Sequence, residues 1–338
     1  MAPRPVNLAI VGATGLAGRA ALELIPEAEL DPSELRLFAT ERSREQRLEY
    51  DGEDLPVAEL TATAFRGMDL ALFFTPAAAS REWAPRAWAE GCAVVDASSA
   101  FRADPQVPLV APGLNPEAVD GFRARGIVAA AAGPAAVLAP LVAALSREAP
   151  VEAVSAVVLA PAAGAGTAGV VQLETESGDL MNGREPEPGP VFPHRLAYNV
   201  VPQVGIFLPD GHTDEERAVE VDLRRLLATP ALRAAVSAVR VPVFYGLTVV
   251  SRLFVARAIP AQAARTALRA GQGLKVVDGP GEGVYPMPML SLNDDAVLVG
   301  RIRADEAARV VDLVATADDL RQAVAGAIRI AELIVERR

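Results

Sequence analysis

Gly12, Gly15 and Gly18 recur every third residue in VGATGLAG, after the apolar run Val6 to Val11 and before a helical pattern. Missing side chains there let the backbone close on a pyrophosphate at a helix N-terminus, although a tight turn alone would also use these glycines. The next strand pattern ends in FATERSREQR. Glu41 can accept a hydrogen bond from a ribose 2′-hydroxyl, whereas Arg42, Ser43 and Arg44 suit a 2′-phosphate, so the segment predicts NADP in preference to NAD.

Two further arginines can meet anions. Arg102 follows a strand end in the Ser-rich CAVVDASSAFRADP, at the carboxyl edge where ligands bind in parallel sheets, and it also reads as a solvated loop arginine. Arg240 opens the apolar RVPVFYG, where a guanidinium needs an anionic partner. Groups for covalent or metal chemistry are scarce. Lys275 is the only lysine and sits in the strand-like GLKVVDG; Cys92 is the only cysteine and opens a buried strand. His194 and His212 read as polar loop residues, and no metal site is expected. The turn AAAAGPAA (129–136) has no side chain able to attack a carbonyl or carry a proton.

The elements that must hold these residues follow two styles. Strand and helix patterns alternate in the first third: Val6 to Val11, Leu16 to Ile25, Leu35 to Ala39, then DLALFFTP, SREWAPRAWAEG and CAVVDAS. That alternation predicts a doubly wound, Rossmann-type parallel sheet. After about residue 128, long β-branched runs predict an α+β domain with a mostly antiparallel sheet and helices on one side. A proline-rich loop is expected at 183–193, and the last stretch reads as an amphipathic helix. We therefore expect a dinucleotide-binding domain at 1–128 plus 317–338 and a substrate and dimerisation domain at 129–316. A formal charge of −11 disfavours nucleic acid, and 51% hydrophobic content indicates a well-buried globular chain. The absence of a signal pattern and of a long apolar run predicts a cytoplasmic protein with no membrane partner.

Several motifs in order resemble the aspartate-β-semialdehyde dehydrogenase family over nearly the whole chain. They are GATGLAG, ATERS, DASSAFRADPQVPLVAPGLN, FPHRLAYNVVPQVG (192–205), GHTDEER (211–217), RVPVFYG (240–246) and YPMP…VGRIR (285–303). The resemblance implies an α/β homodimer that uses NADP. A cysteine thiolate attacks the aldehyde, hydride passes to the cofactor, and phosphate releases the acyl group. It also implies cofactor contacts from Gly12, Thr14, Gly15, Leu16, Gly18, Arg42, Ser43, Gly164 and Gly166. Arg240 falls on the carboxylate-binding arginine, Arg102 on the phosphate arginine, with Asn115 in its segment, and Glu215 on a substrate-site glutamate.

The reacting positions depart from the family's pattern. The nucleophile turn falls on Gly133-Pro134-Ala135-Ala136, the orienting glutamine on Ala160 and the acid/base histidine on Leu247. A phosphate-side lysine falls on Ala218, a glycine pair on Ala77 and Ala78, and an asparagine-leucine-arginine-lysine-glycine segment on Asp319-Leu320-Arg321-Gln322-Ala323. No catalytic residue is therefore expected. Ser98, Ser99 and Thr167 lie near the site by analogy but have no histidine base within reach in sequence. The chain resembles the USG-1 subgroup, whose nucleophile turns are altered. Two readings follow: a catalytically degenerate protein that binds NADP and a small anionic ligand, or an active NADP-dependent oxidoreductase that needs no covalent intermediate.

Overall fold

A computed structural model describes residues 5–43 and 45–337, so Arg44 lies outside the described residues. Contacts divide the chain into two units. The first runs to Ala132 and resumes at Ala323; the second is Gly133–Gln322.

The first unit holds one eight-stranded sheet. Its strands are β1 (Pro5–Val11), β2 (Asp31–Ala39), β3 (Arg47–Tyr50), β4 (Glu53–Glu59), β5 (Leu70–Phe73), β6 (Ala93–Asp96), β7 (Leu109–Val110) and β8 (Ile127–Ala130). They lie in the order β3-β4-β2-β1-β5-β6-β8-β7, and every pair is parallel except β3 with β4. The chain moves outward from β1 on one side and returns to β5 on the other, the doubly wound pattern expected. The buried β1, β5, β6 and β8 are runs of Val, Ile, Leu, Phe and Ala without polar alternation, as strands covered on both faces require. Helices α1 (Leu16–Leu24) and α2 (Ala77–Ala89) link strands, and α2 starts three residues earlier than the sequence suggested.

The second unit begins with α3 (Gly133–Ser146), followed by β9 (Val151–Ala160), α4 (Gly166–Met181), α5 (Asp214–Leu226), β10 (Arg233–Arg240) and β11 (Leu247–Val255). Then come α6 (Ala261–Arg269), β12 (Leu274–Val276), α7 (Pro288–Ser291), β13 (Val297–Asp305), β14 (Val310–Ala317) and α8 (Asp319–Glu336). The six strands order as β10-β9-β11-β14-β13-β12, antiparallel at the centre and parallel at both edge pairs. Helix α3 packs on β9, β11 and β14, α5 on β10, and α6 on β12 and β13. The opposite face is open in the chain: Val157, Val250 and Phe254 are exposed, and Val250 pairs with Val157 on β9.

Both expected domain boundaries shift. Residues 129 and 130 complete β8, which pairs with β6, so the first unit extends to Ala132 rather than 128. At the other end β14 runs to Ala317 and the first turn of α8 stays with the second unit, moving that boundary from 316/317 to 322/323. The rest of α8 contributes Val324, Ala327, Ile328, Ile330, Ala331, Leu333 and Ile334 to the core of the first unit.

Candidate functional site

The first unit presents a cleft of about 360 Å³ at the carboxyl ends of its strands. Gly12, Thr14 and Gly15 line it beside Ala39, Thr40 and Glu41 from the end of β2, Glu59 and Leu60 after β4, and Thr75, Pro76 and Trp83 after β5. The glycines differ in what demands them. Gly12 has φ +89°, and a Cβ there would fall 2.3 Å from the Phe74 carbonyl oxygen; one on Gly18 would fall 2.3 Å from the Gly12 carbonyl oxygen. Gly15 is less crowded, 3.4 Å from the same oxygen, and it precedes α1, whose first turn has no side-chain cap. Uncapped N–H groups at a glycine turn fit a phosphate. The Thr14 and Ser43 hydroxyls lie 3.3 Å apart, so two candidate cofactor residues meet. Arg42 is exposed on the turn Glu41–Ser43, while Glu41 lines the cleft itself.

Behind this cleft, buried Asp96 closes a chain of hydroxyls. Ser80 donates to its Oδ1 at 2.6 Å, Ser98 donates to Oδ2 at 2.8 Å, and Thr75 lies 2.8 Å from Ser80. Burial raises the Asp96 pKa, and the serine hydrogen bonds oppose the rise. Arg102 sits in the loop this network shapes and donates to the carbonyls of Ser98 at 3.1 Å and Ala97 at 3.2 Å. Asn115 spends both ends of its amide on its own loop: Nδ2 donates to Leu109 and Oδ1 accepts from Ala111.

In the second unit, one end of the sheet carries the row that matters. Arg240 on β10 pairs with Ala160 on β9. Thr248 pairs with Leu159, which places Leu247 beside Ala160, and Leu247 pairs in turn with Ala317. These four residues are buried, on the face that α3 covers, and Ala136 lies in the first turn of α3. The sheet thus brings together Arg240, Ala160 and Leu247, and α3, whose first turn holds Ala136, packs on the same strands β9 and β11; of these four side chains only Arg240 holds a heteroatom. Gly133 has φ +60° with open space where a Cβ would be.

The charges at this end belong to Arg240, Glu215 and Asp319. Arg240 Nη1 donates to the Pro161 carbonyl at 2.6 Å, and the guanidinium lies 5.7 Å from the Phe192 ring centroid. Among the described residues the hydrogen bond of Arg240 goes to a carbonyl and no ion pair holds it, so the anionic partner expected from the sequence is not supplied by a neighbouring carboxylate. Burial lowers its pKa; the fields of Glu215, exposed on the first turn of α5, and then Asp319 act in the opposite sense. Asp319 opens α8 two residues after Ala317, and burial pushes its pKa up to about 6, against its own backbone hydrogen bonds and Arg240. Gly164 serves this cluster directly, since a Cβ there would meet Arg240 Nη1 at 2.7 Å; Gly166 has φ +74° where α4 begins.

The remaining candidates have ordinary surroundings. Cys92 is fully buried before β6, and Lys275 pairs with Asp294 at 3.1 Å. His194 is exposed, while His212 Nδ1 lies 3.1 Å from Arg217 and 3.4 Å from Asp210. Thr167 is exposed on α4. Among the described residues no group of three or more His, Cys, Asp or Glu is placed to hold a metal ion, and no helix is long and apolar enough to cross a membrane. Sequence reasoning missed Glu59, Leu60, Trp83, Asp96 and the charge of Asp319. Asp319 stood in a family motif position and Asp96 within a family segment, but neither the spacing of Leu60 nor that of Trp83 distinguished it from a packing residue.

Comparison with known proteins accords with this geometry. The family described as semialdehyde dehydrogenase, NAD binding domain, matches residues 7–122, and semialdehyde dehydrogenase, dimerisation domain, matches residues 138–322. The chain is 35% identical over 336 residues to an aspartate-semialdehyde dehydrogenase of Aquifex aeolicus, covering 98% of each. It resembles the crystal structure of aspartate semialdehyde dehydrogenase II from Vibrio cholerae complexed with ASA, with a TM-score of 0.93 at 31% identity over 98% of this chain and 99% of that one. The Candida albicans aspartate semialdehyde dehydrogenase solved with NADP shares the fold at 21% identity and a TM-score of 0.73, over 97% of this chain and 98% of that one.

Proposed function

The chain belongs to the semialdehyde dehydrogenase family, and on that premise we propose that it is a catalytically degenerate member, akin to the USG-1 subgroup. It binds NADP and a small anionic ligand as a homodimer and acts by binding or regulation rather than turnover. One observation carries this reading: Ala136, Ala160 and Leu247 occupy the positions that the family resemblance gives to nucleophile, orienting amide and acid/base. A methyl group cannot form a thiohemiacetal and a leucine cannot move a proton. Loss of a covalent nucleophile alone costs on the order of 10⁶ in rate where it has been measured in a triad enzyme. Cys92, buried in a strand approach, offers no replacement.

The cofactor reading rests on the glycine turn, the uncapped start of α1, and Thr14 with Ser43. When bound, NADP supplies a hydride acceptor; this chain's own residues hold its phosphates. Arg42 favours the 2′-phosphate, and Glu41 on the cleft wall is the feature that favours NAD. Arg240, buried without an ion pair, supports an anionic ligand. The open face of the six-stranded sheet supports pairing with a second copy.

The direct test is NADPH-dependent reduction of aspartyl phosphate, together with the reverse arsenate-assisted assay. No turnover is expected, and robust turnover overturns the degenerate reading. That outcome would favour the second reading, an active NADP-dependent oxidoreductase without a covalent intermediate, which the full-length likeness to the Aquifex aeolicus enzyme and the retained Arg240 also suit. Thermal shift with NADP⁺ and NAD⁺ tests the cofactor: stabilisation by NADP⁺ is expected, and stabilisation by neither refutes it.

A further inference from the structure

We propose that Trp83 is the stacking platform for the adenine base of the bound dinucleotide, which rests on the cofactor reading above. Trp83 and Ala79 stand four residues apart on α2, hence on one face of that helix, and both line the cleft of the first unit. Arg86, one turn further on, lays its guanidinium over the indole at 4.6 Å from the ring centroid and is itself held by Glu82 at 3.0 Å. The cation therefore fixes the ring before any ligand arrives, and a platform already ordered loses less entropy on binding.

Leu60 and Pro76 line the same cleft and offer carbon surface and no side-chain donor. A cleft lined by an aromatic ring and aliphatic groups suits a flat heteroaromatic base. Glu41 and Glu59 on the same walls repel phosphate and accept N–H donors. The pyrophosphate of a dinucleotide is thereby directed to the glycine turn, and the base, with its exocyclic amine, to the part of the cleft that Trp83 lines. Trp88 takes no part: five residues on, it turns off this face and packs where a Cβ on Gly126 would fall 1.9 Å from its ring. The two tryptophans therefore report separately.

The experiment combines tryptophan emission with calorimetry on the full chain, using NADP⁺, 2′,5′-ADP and nicotinamide mononucleotide as probes. NADP⁺ and 2′,5′-ADP are expected to quench emission, the mononucleotide is not, and Trp88→Phe keeps the quench. Trp83→Leu is expected to weaken both adenine ligands by on the order of ten- to a hundredfold, with Trp83→Phe recovering most of the loss. If NADP⁺ binds the wild type and Trp83→Leu changes its affinity less than twofold, the base does not sit on Trp83. If neither NADP⁺ nor 2′,5′-ADP binds the wild type at millimolar concentration, the cofactor reading has failed and takes this assignment with it.

Discussion

The turn after β1 and the turn that opens α3 are both built mostly from glycine and alanine, for opposite physical reasons. At Gly12 and Gly18 backbone atoms come within 2.3 Å of where a Cβ would stand, so packing excludes every other residue. At Gly133 there is open space, and Ala136 is only half-buried. Smallness is enforced in the first place and merely permitted in the second. The contrast separates a region under a steric demand from one where larger side chains would fit, which supports the proposed reading of binding without turnover.

The largest effect that can break this comparison is steric. Gly18→Ala forces the backbone of Gly12 and Ala13 apart and is expected to cost 3 kcal/mol or more, roughly the upper range of single substitutions. Ala136→Ser, by contrast, should shift stability by less than about 1 kcal/mol. Urea midpoints of the two variants measure the difference, and equal costs would remove the distinction. The Ala136→Cys, Ala160→Gln, Leu247→His combination probes the same idleness chemically; any recovered turnover over the wild type would show the pocket intact.

How far these features were legible in the sequence depended on which force sets them. Strand β1, the glycine turn and α1 follow from hydrophobic period and spacing, and the structure places them within a residue or two of expectation. The start of β2 was hidden because Asp31 to Glu34 are largely exposed and polar and carry no alternation. The β3–β4 hairpin escaped notice despite its Asp51-Gly52 turn, whose two positive φ angles are the usual signal. Arg102 and Asn115 were recognisable as residues, but their hydrogen bonds to loop carbonyls were not, since sequence spacing carries no information on which carbonyl a side chain will meet. Asp319 stood in a family motif position, but its burial was not legible; only the sheet register, which sets Ala317 beside Leu247, shows it at the end of the Arg240 row.

Asp319 supplies the second prediction, of intermediate size. Its folded pKa, about 6, stands above the ordinary carboxylate value of 3.8, so the folded state holds a proton that the unfolded chain releases. Stability is therefore full below about pH 4 and falls as pH rises toward 6. Asp319→Asn removes that loss and is expected to raise stability by roughly 2 kcal/mol at pH 8, with little change at pH 4. Denaturation at the two pH values decides it; an equal effect at both would mean that burial of the carboxylate is not what Asn relieves. Because Arg240 opposes the rise, Arg240→Met should push the transition to still higher pH.

The smallest effect concerns the open face of the second unit's sheet. Arg252 and Asp312 pair there through two hydrogen bonds of 2.7 and 2.9 Å, and Arg252 is largely exposed. An exposed pair of this kind contributes little to stability, and salt diminishes it further. The pair lies next to Val250, and Val157 and Phe254 are exposed on the same face. If a second copy covers that face, water leaves the pair, its screening drops, and the loss on Arg252→Ala becomes larger and dependent on protein concentration. Urea midpoints at two protein concentrations, with sedimentation of Val250→Glu as a control for association, distinguish the cases. A cost that stays small and unchanged at every concentration, in a variant set that never dimerises, would leave the open face as plain solvent-exposed sheet and remove its support for the homodimer.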